Sequence, residues 1–127
     1  MIRAVQLQRL TRSADFKRVR AGRRHCATPG FVLQARTRPE DAAEEEARLG
    51  FTVSKRVGNA VMRNRARRRL REAARLALEG AAMPGVDYVL IGRGDAITRP
   101  FERLQADMVT ALSRLSLLRS DAGETPR

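Results

Sequence analysis

Four arginines, Arg67, Arg68, Arg71 and Arg75, recur at three- and four-residue steps in a stretch, Asn59 to Glu79, that contains no glycine or proline. On a helix those steps place them on one face together with Asn64. Guanidinium groups offer planar, bidentate donor pairs to phosphate and can stack on bases. Like charges at these spacings repel and weaken an isolated helix, and up to Arg75 the run contains a single acid, Glu72. Such a face makes physical sense when an external polyanion neutralises it. Lys55, Arg56, Arg63, Arg65 and Arg69 add to the same basic segment. A second candidate is Phe16, which precedes Lys17, Arg18 and Arg20. It reads either as a ring exposed to stack on a single-stranded base, with phosphate-binding charges beside it, or as a core-facing anchor of a short helix.

Groups suited to catalysis by the protein itself are sparse. His25 and Cys26 are adjacent, too few for a structural zinc site and poorly spaced for a base and its nucleophile. Asp95 and Glu102 are scattered acids, and no carboxylate cluster for two-metal hydrolysis is visible. Gly92-Arg93-Gly94-Asp95 lacks the further glycine of a dinucleotide loop and reads as a turn. A self-sufficient nuclease is therefore disfavoured. A basic-zipper reader is also excluded, because Gly80 and Pro84 interrupt the helix before any leucine heptad develops.

The elements that position these residues follow from periodicity. Residues 13–19 read as a helix with Ser13 as its cap and Asp15 in its first turn, ended by Gly22. Strands are expected at Phe31–Arg36, Leu49–Ser54 and Val86–Ile91, with a further short strand near Ala27–Pro29. Asn59 is the candidate cap of the basic helix, whose apolar stripe would be Met62, Ala66, Leu70, Ala73 and Ala77. Pro100 to Leu118 forms a last helix, with Pro100 at its first position. Phe31, Tyr88 and Phe101 are expected in the core; Phe51, directly before the basic motif, could line the same sheet face as the site. The order helix, strand, strand, basic helix, strand, helix predicts an α/β (α+β) two-layer sandwich on one small mixed sheet. Residues 1–119 are expected to form a single RNA-binding domain, and 120–127 a polar, disordered tail.

Composition bounds the function class. The chain has 127 residues and a formal net charge of +12. All of its 26 basic residues except Lys17 and Lys55 are arginine. The charge is clustered: ten basic residues against Asp15 within residues 1–38, an acidic loop at 39–46, then nine basic residues against Glu72 within 55–75. No apolar run approaches the roughly 18 residues of a membrane span. The first ten residues lack a signal-peptide pattern. One cysteine excludes an internal disulfide. A cytoplasmic, polyanion-binding domain without membrane association is expected.

The run from Val53 to Glu72, VSKRVGNAVMRNRARRRLRE, closely resembles the V-S-K-[KR]-x-G-N-A-V-x-R-N-x-x-[KR]-R-x-x-R-E-like signature of the protein subunit of bacterial ribonuclease P. The match is ungapped and mixes Gly and Asn with basic positions, so basic composition alone does not produce it. The order of elements, Phe16 in the opening helix and the acidic loop agree, and the resemblance spans about residues 8–118. It implies a sandwich with a left-handed βαβ crossover carrying the arginine-rich helix. It implies a monomeric protein bound to a catalytic RNA, in a holoenzyme that removes the 5′ leader of precursor tRNA. No cofactor would be bound by the protein alone; the Mg²⁺ of the holoenzyme would be held mainly by the RNA. The residues carried over for RNA binding are Lys55, Arg56, Arg63, Asn64, Arg65, Arg67, Arg68, Arg69 and Arg71. Phe16 is carried over for the leader cleft, with Lys17, Arg20 and Phe51 beside it. Arg20 and Gln34 depart from the family pattern, standing where its members often have aromatics. The other class considered is a non-catalytic nucleic-acid-binding protein such as a ribosomal protein, from which the uninterrupted motif separates this chain.

Overall fold

The computed structural model describes residues 7–39 and 46–117. The expected tail at 120–127 and most of the acidic loop lie outside them. In chain order the elements are β1 (Leu7–Arg9), α1 (Ser13–Ala21), β2 (His25–Ala27), β3 (Phe31–Thr37), β4 (Ala47–Val53), a single 3₁₀ turn (Lys55–Val57), α2 (Ala60–Leu78), β5 (Val86–Gly92), α3 (Asp95–Thr98) and α4 (Phe101–Arg114).

One mixed sheet has the strand order β1-β4-β5-β3-β2. β4 and β5 are parallel neighbours joined through α2, β1 is parallel to β4, and β2 and β3 complete the sheet antiparallel. Alternation assigns the two faces. Leu33 pairs with Leu90 and Leu90 with Phe51, whereas Gln34 and Gly50 both pair with Val89. The first set joins the main core under α2 and α4, with Tyr88, Leu70, Leu104 and Met108. The second faces α1, where Leu10, Val19 and Val89 form a smaller cluster with Phe16 packed against it.

Several boundaries differ from expectation for local reasons. Arg12, not Ser13, occupies the N-cap of α1, and no side chain caps it; Ser13 is already helical. The short strand before β3 lies at His25–Ala27 rather than 27–29, because Thr28 turns the chain, its backbone N–H and hydroxyl both donating to the Phe31 carbonyl. Pro100 is the N-cap of α4, one residue earlier than its expected first helical position. β1 and α3 were not legible: a three-residue strand has too little pattern, and α3 is a single turn beginning where a plain turn was read. On α2 the buried stripe is Ala66, Leu70, Ala73, Ala74 and Leu78; Ala77 is half-buried, and Met62 is 42% exposed, its side chain lying over Gly58 at the start of the helix.

Two buried polar groups tie the fold together. Asp87, in β5, is fully buried and binds Arg48 of β4 through two hydrogen bonds, Nε to Oδ1 at 2.8 Å and Nη2 to Oδ2 at 2.9 Å. Arg38 also donates to Asp87 and to the Glu46 carbonyl. Tyr88 donates to the Leu117 carbonyl at 2.8 Å and accepts from the Met83 N–H at 3.0 Å, tying the residues just after α4 to the turn before β5. Burial pushes the Tyr88 phenol up to about 12, against smaller opposing effects of the Met83 N–H and the Arg24 charge.

Removing one partner of a buried ion pair leaves an uncompensated charge, so Asp87→Ala should cost about 3–5 kcal/mol in urea unfolding. The phenol predicts an alkaline effect. The unfolded chain releases that proton near pH 10 and the folded chain near pH 12, so the folded state holds more protons between them. The contribution of Tyr88 is complete below pH 10 and is lost as pH rises through 12, amounting to about 2–3 kcal/mol. Unfolding measured from pH 7 to 12 should show Tyr88→Phe less stable than the parent at neutral pH but with a shallower alkaline decline.

Candidate nucleic-acid interface

The strand-to-helix junction presents the basic motif. Asn59 caps α2 as expected, its Oδ1 accepting from the Met62 N–H at 2.9 Å. Gly58 precedes it at φ +153°, where a Cβ would lie 2.5 Å from Met62 Sδ, so the sharp exit from the 3₁₀ turn requires glycine. Arg63 Nη1 donates to the Gly58 carbonyl at 2.8 Å and braces this junction. Lys55 and Arg56 are exposed on the turn, with Arg65 and Arg68 exposed along α2. Asn64 accepts from Arg67 Nη1 at 3.0 Å, which orders that guanidinium. Arg75 is bound by Glu72 at 2.7 Å and lies 3.8 Å from Glu79. The hydrogen bond from Arg75 holds the Glu72 carboxyl below its usual range, and Glu72 in turn raises the Arg75 pKa. The basic face is thus neutralised locally at its C-terminal end.

Arg69 departs from the group. Its Nε donates to the Ala96 carbonyl at 2.8 Å and its Nη2 to the Arg99 carbonyl, while the guanidinium lies 5.9 Å from the Phe101 ring centre. At roughly 200° around the helix from Arg67, it clasps the α3–α4 connection rather than sharing the Arg67–Arg71 side. Periodicity alone could have separated it from Arg67 and Arg71, but the basic run masked the difference.

An open cleft of about 340 Å³ lies along the edge of β4, beyond the point where β1 stops. The last bond on that edge runs from the Leu10 N–H to the Leu49 carbonyl at 3.0 Å. Phe16 and Phe51 both line the cleft, together with Arg67 and Arg71. The two rings come from opposite sheet faces. Phe16 reaches across the α1 face onto Gly50, whose added Cβ would sit 2.6 Å from Phe16 Cζ. Phe51 points to the α2 face, with the Arg71 guanidinium 5.6 Å from its ring centre. Adjacent strand positions alternate, so Gly50 faces Phe16 and Phe51 faces α2, the side that carries the basic motif. Both rings are half-buried, so each packs on one side and is open on the other.

Lys17 and Arg20 are exposed on α1 and do not line this cleft; Gln34 faces the α1 side beside Val89. Arg9, Leu10 and Thr11 do line it. Nothing in the sequence marked them, since their place depends on the β1–β4 pairing. Among the described residues no group of three or more His, Cys, Asp or Glu side chains converges as a metal-ligand set. No helix among them is long and apolar enough to cross a membrane.

A family model described as Ribonuclease P matches residues 5–116. The chain belongs to the ribonuclease P protein family. It is 48% identical over 125 residues to the ribonuclease P protein component of Paramagnetospirillum magneticum, covering 97% of this chain and 94% of that one. It is 53% identical over 108 residues to that of Ruegeria pomeroyi, covering 84% of each. The solved ribonuclease P protein of Staphylococcus aureus superposes with a TM-score of 0.72 at 25% identity, covering 90% of this chain and all of that one. The mixed sandwich expected from the element order is the fold of that family. Ribonuclease P removes the 5′ leader of precursor tRNA, and this family supplies its protein subunit to an RNA-based catalyst.

The contrast between Arg69 and Arg68 is testable within one helix. Arg69→Ala should lower stability by about 2–3 kcal/mol through two lost charged hydrogen bonds to carbonyls. Arg68→Ala, at an exposed site, should stay within about 0.5 kcal/mol of the parent. Denaturant unfolding of the two variants measures the difference.

Proposed function

We propose that the chain binds the catalytic RNA through the exposed basic face of α2 and the Lys55–Val57 turn, and takes the single-stranded 5′ leader of precursor tRNA in the β4-edge cleft. The observation that carries this reading is the cleft itself. Two half-buried aromatic rings and the guanidinium groups of Arg67 and Arg71 line one open groove, continuous with the basic helix face. Rings supply sequence-tolerant stacking and guanidinium groups bind the backbone, the combination a single strand requires. A duplex RNA partner presents a deep, narrow major groove, so contacts to phosphate, ribose and overall shape dominate over base reading.

In this reading the protein contributes no group to the bond-breaking step. It acts as one copy in a cytoplasmic ribonucleoprotein. The Mg²⁺ of the holoenzyme would be held mainly by the RNA, where it would supply an activated water for phosphodiester hydrolysis. The protein raises the affinity for precursor over mature tRNA and screens the repulsion between two RNA molecules, which lowers the Mg²⁺ needed.

Salt dependence tests the RNA-binding face. With about five phosphates neutralised, log affinity for the partner RNA should fall against log salt with a slope of roughly −3.5 to −4.5. Arg67→Ala with Arg68→Ala should flatten that slope by about one to two units with the fold intact. An unchanged slope places the interface elsewhere. The cleft is tested by Phe16→Ala in the reconstituted holoenzyme. Loss of a stacking ring should weaken precursor tRNA binding by about 1–3 kcal/mol and leave mature tRNA unaffected. Equal weakening of both RNAs, or a loss of several kcal/mol of stability, returns Phe16 to the core.

A further inference from the structure

We infer that Asp15 is a positioning residue for the leader, holding Phe16 in register over the sheet through a charge relay that ends on the buried Asp87. The inference rests on the leader-binding reading of the cleft. α1 has a small apolar foothold: only Val19 and Asp15 are buried among its residues, and Phe16 is half-buried. The carboxylate therefore occupies a seat where a helix of this kind usually places an apolar side chain. Asp15 Oδ2 accepts from Arg48 Nη1 at 3.3 Å and Oδ1 from Arg18 Nη1 at 2.8 Å. Arg48 is itself clamped side-on to Asp87 by Nε and Nη2, and Asp87 is fully buried in a central strand. The reference point for α1 is thus a fully buried carboxylate of the central sheet.

The geometry fixes two adjacent residues at once. Asp15 and Phe16 are neighbours on α1; Arg48 and Gly50 are neighbours on one face of β4, two residues apart. Asp15 lies on Arg48 while the Phe16 ring lies on Gly50. A shift or rotation of α1 that moved the ring along β4 would break the ion pair. The relay therefore sets where the stacking surface stands relative to Arg67 and Arg71 across the cleft.

Charge gives the test a sign. Removing an acid from a protein that binds a polyanion strengthens binding to every RNA by Coulomb attraction alone. Loss of positioning instead weakens only the RNA that carries a leader. The holoenzyme, reconstituted with ribonuclease P RNA, would be assayed for binding precursor and mature tRNA well below the melting temperature of each variant. Asp15→Asn should lower precursor affinity by roughly three- to tenfold, less than removing the ring itself, and leave mature tRNA unchanged or slightly tighter. Arg48→Lys keeps the charge but cannot serve both carboxylates, so it should reproduce the effect; it decides the matter if Asp15→Asn does not fold. Tighter binding of both RNAs, or an unchanged precursor-to-mature ratio while Phe16→Ala abolishes that ratio, overturns the inference and leaves the cleft reading standing. If Phe16→Ala also leaves the ratio unchanged, the cleft reading and this inference fall together.

Discussion

Asp87 is a charge that cannot reach water, and much of the architecture is arranged around satisfying it. It lies in β5 between β3 and β4, so its partners must come from those strands or their ends. Arg48 comes from β4, and Arg38 comes from just past the end of β3 and also binds the Glu46 carbonyl at the start of β4. One carboxylate thereby fixes the register of the central strands and closes the base of the acidic loop. Its desolvation is costly in isolation, and the arrangement is stable only because both arginines are in place. Through Arg48 the same constraint extends to Asp15 and so to the placement of α1.

The second organising constraint is the excess of positive charge on α2. The helix buries a narrow, alanine-rich stripe, which brings its backbone close to the sheet and leaves most of its circumference to arginine. The arginines then divide by angle. Arg63 and Arg69 are bound to carbonyls and tie the start and middle of the helix to neighbouring segments. Arg75 is bound to Glu72. Arg65 and Arg68 remain exposed, and Arg67 and Arg71 border the cleft. A single basic run thus carries structural, neutralised, solvent-exposed and cleft-lining positions, and charge counts alone do not separate them.

The cleft arises from strand length. β1 covers β4 only as far as Leu49, so the edge of β4 is left uncovered on that side from Gly50 onward. At that point the strand alternates between a glycine that admits the Phe16 ring and a phenylalanine that stacks under Arg71. Two faces of one sheet contribute to one groove because the groove wraps round an edge. Neither Arg20 nor Gln34 lines this groove.

By itself the sequence determined the basic helix and its Asn59 cap, the three long strands, the last helix and the family, because each is written in a local pattern: period, cap residue, or an ungapped motif. It also determined that the positive charge is clustered in two segments either side of an acidic one. Only the tertiary structure decided which arginines are spent inside the protein, since Arg69 differs from Arg68 by what α3 and α4 place beside it. Likewise the sequence held the sign of burial at Asp87, an acid within the apolar run VDYVLI, but not its partners, which come from residues 38 and 48. Pairings of that range are set by strand order, and strand order is a property of the whole sheet. The cleft belongs to the same class: Leu10, Phe16, Phe51 and Arg71 meet because three elements converge on the end of one short edge strand.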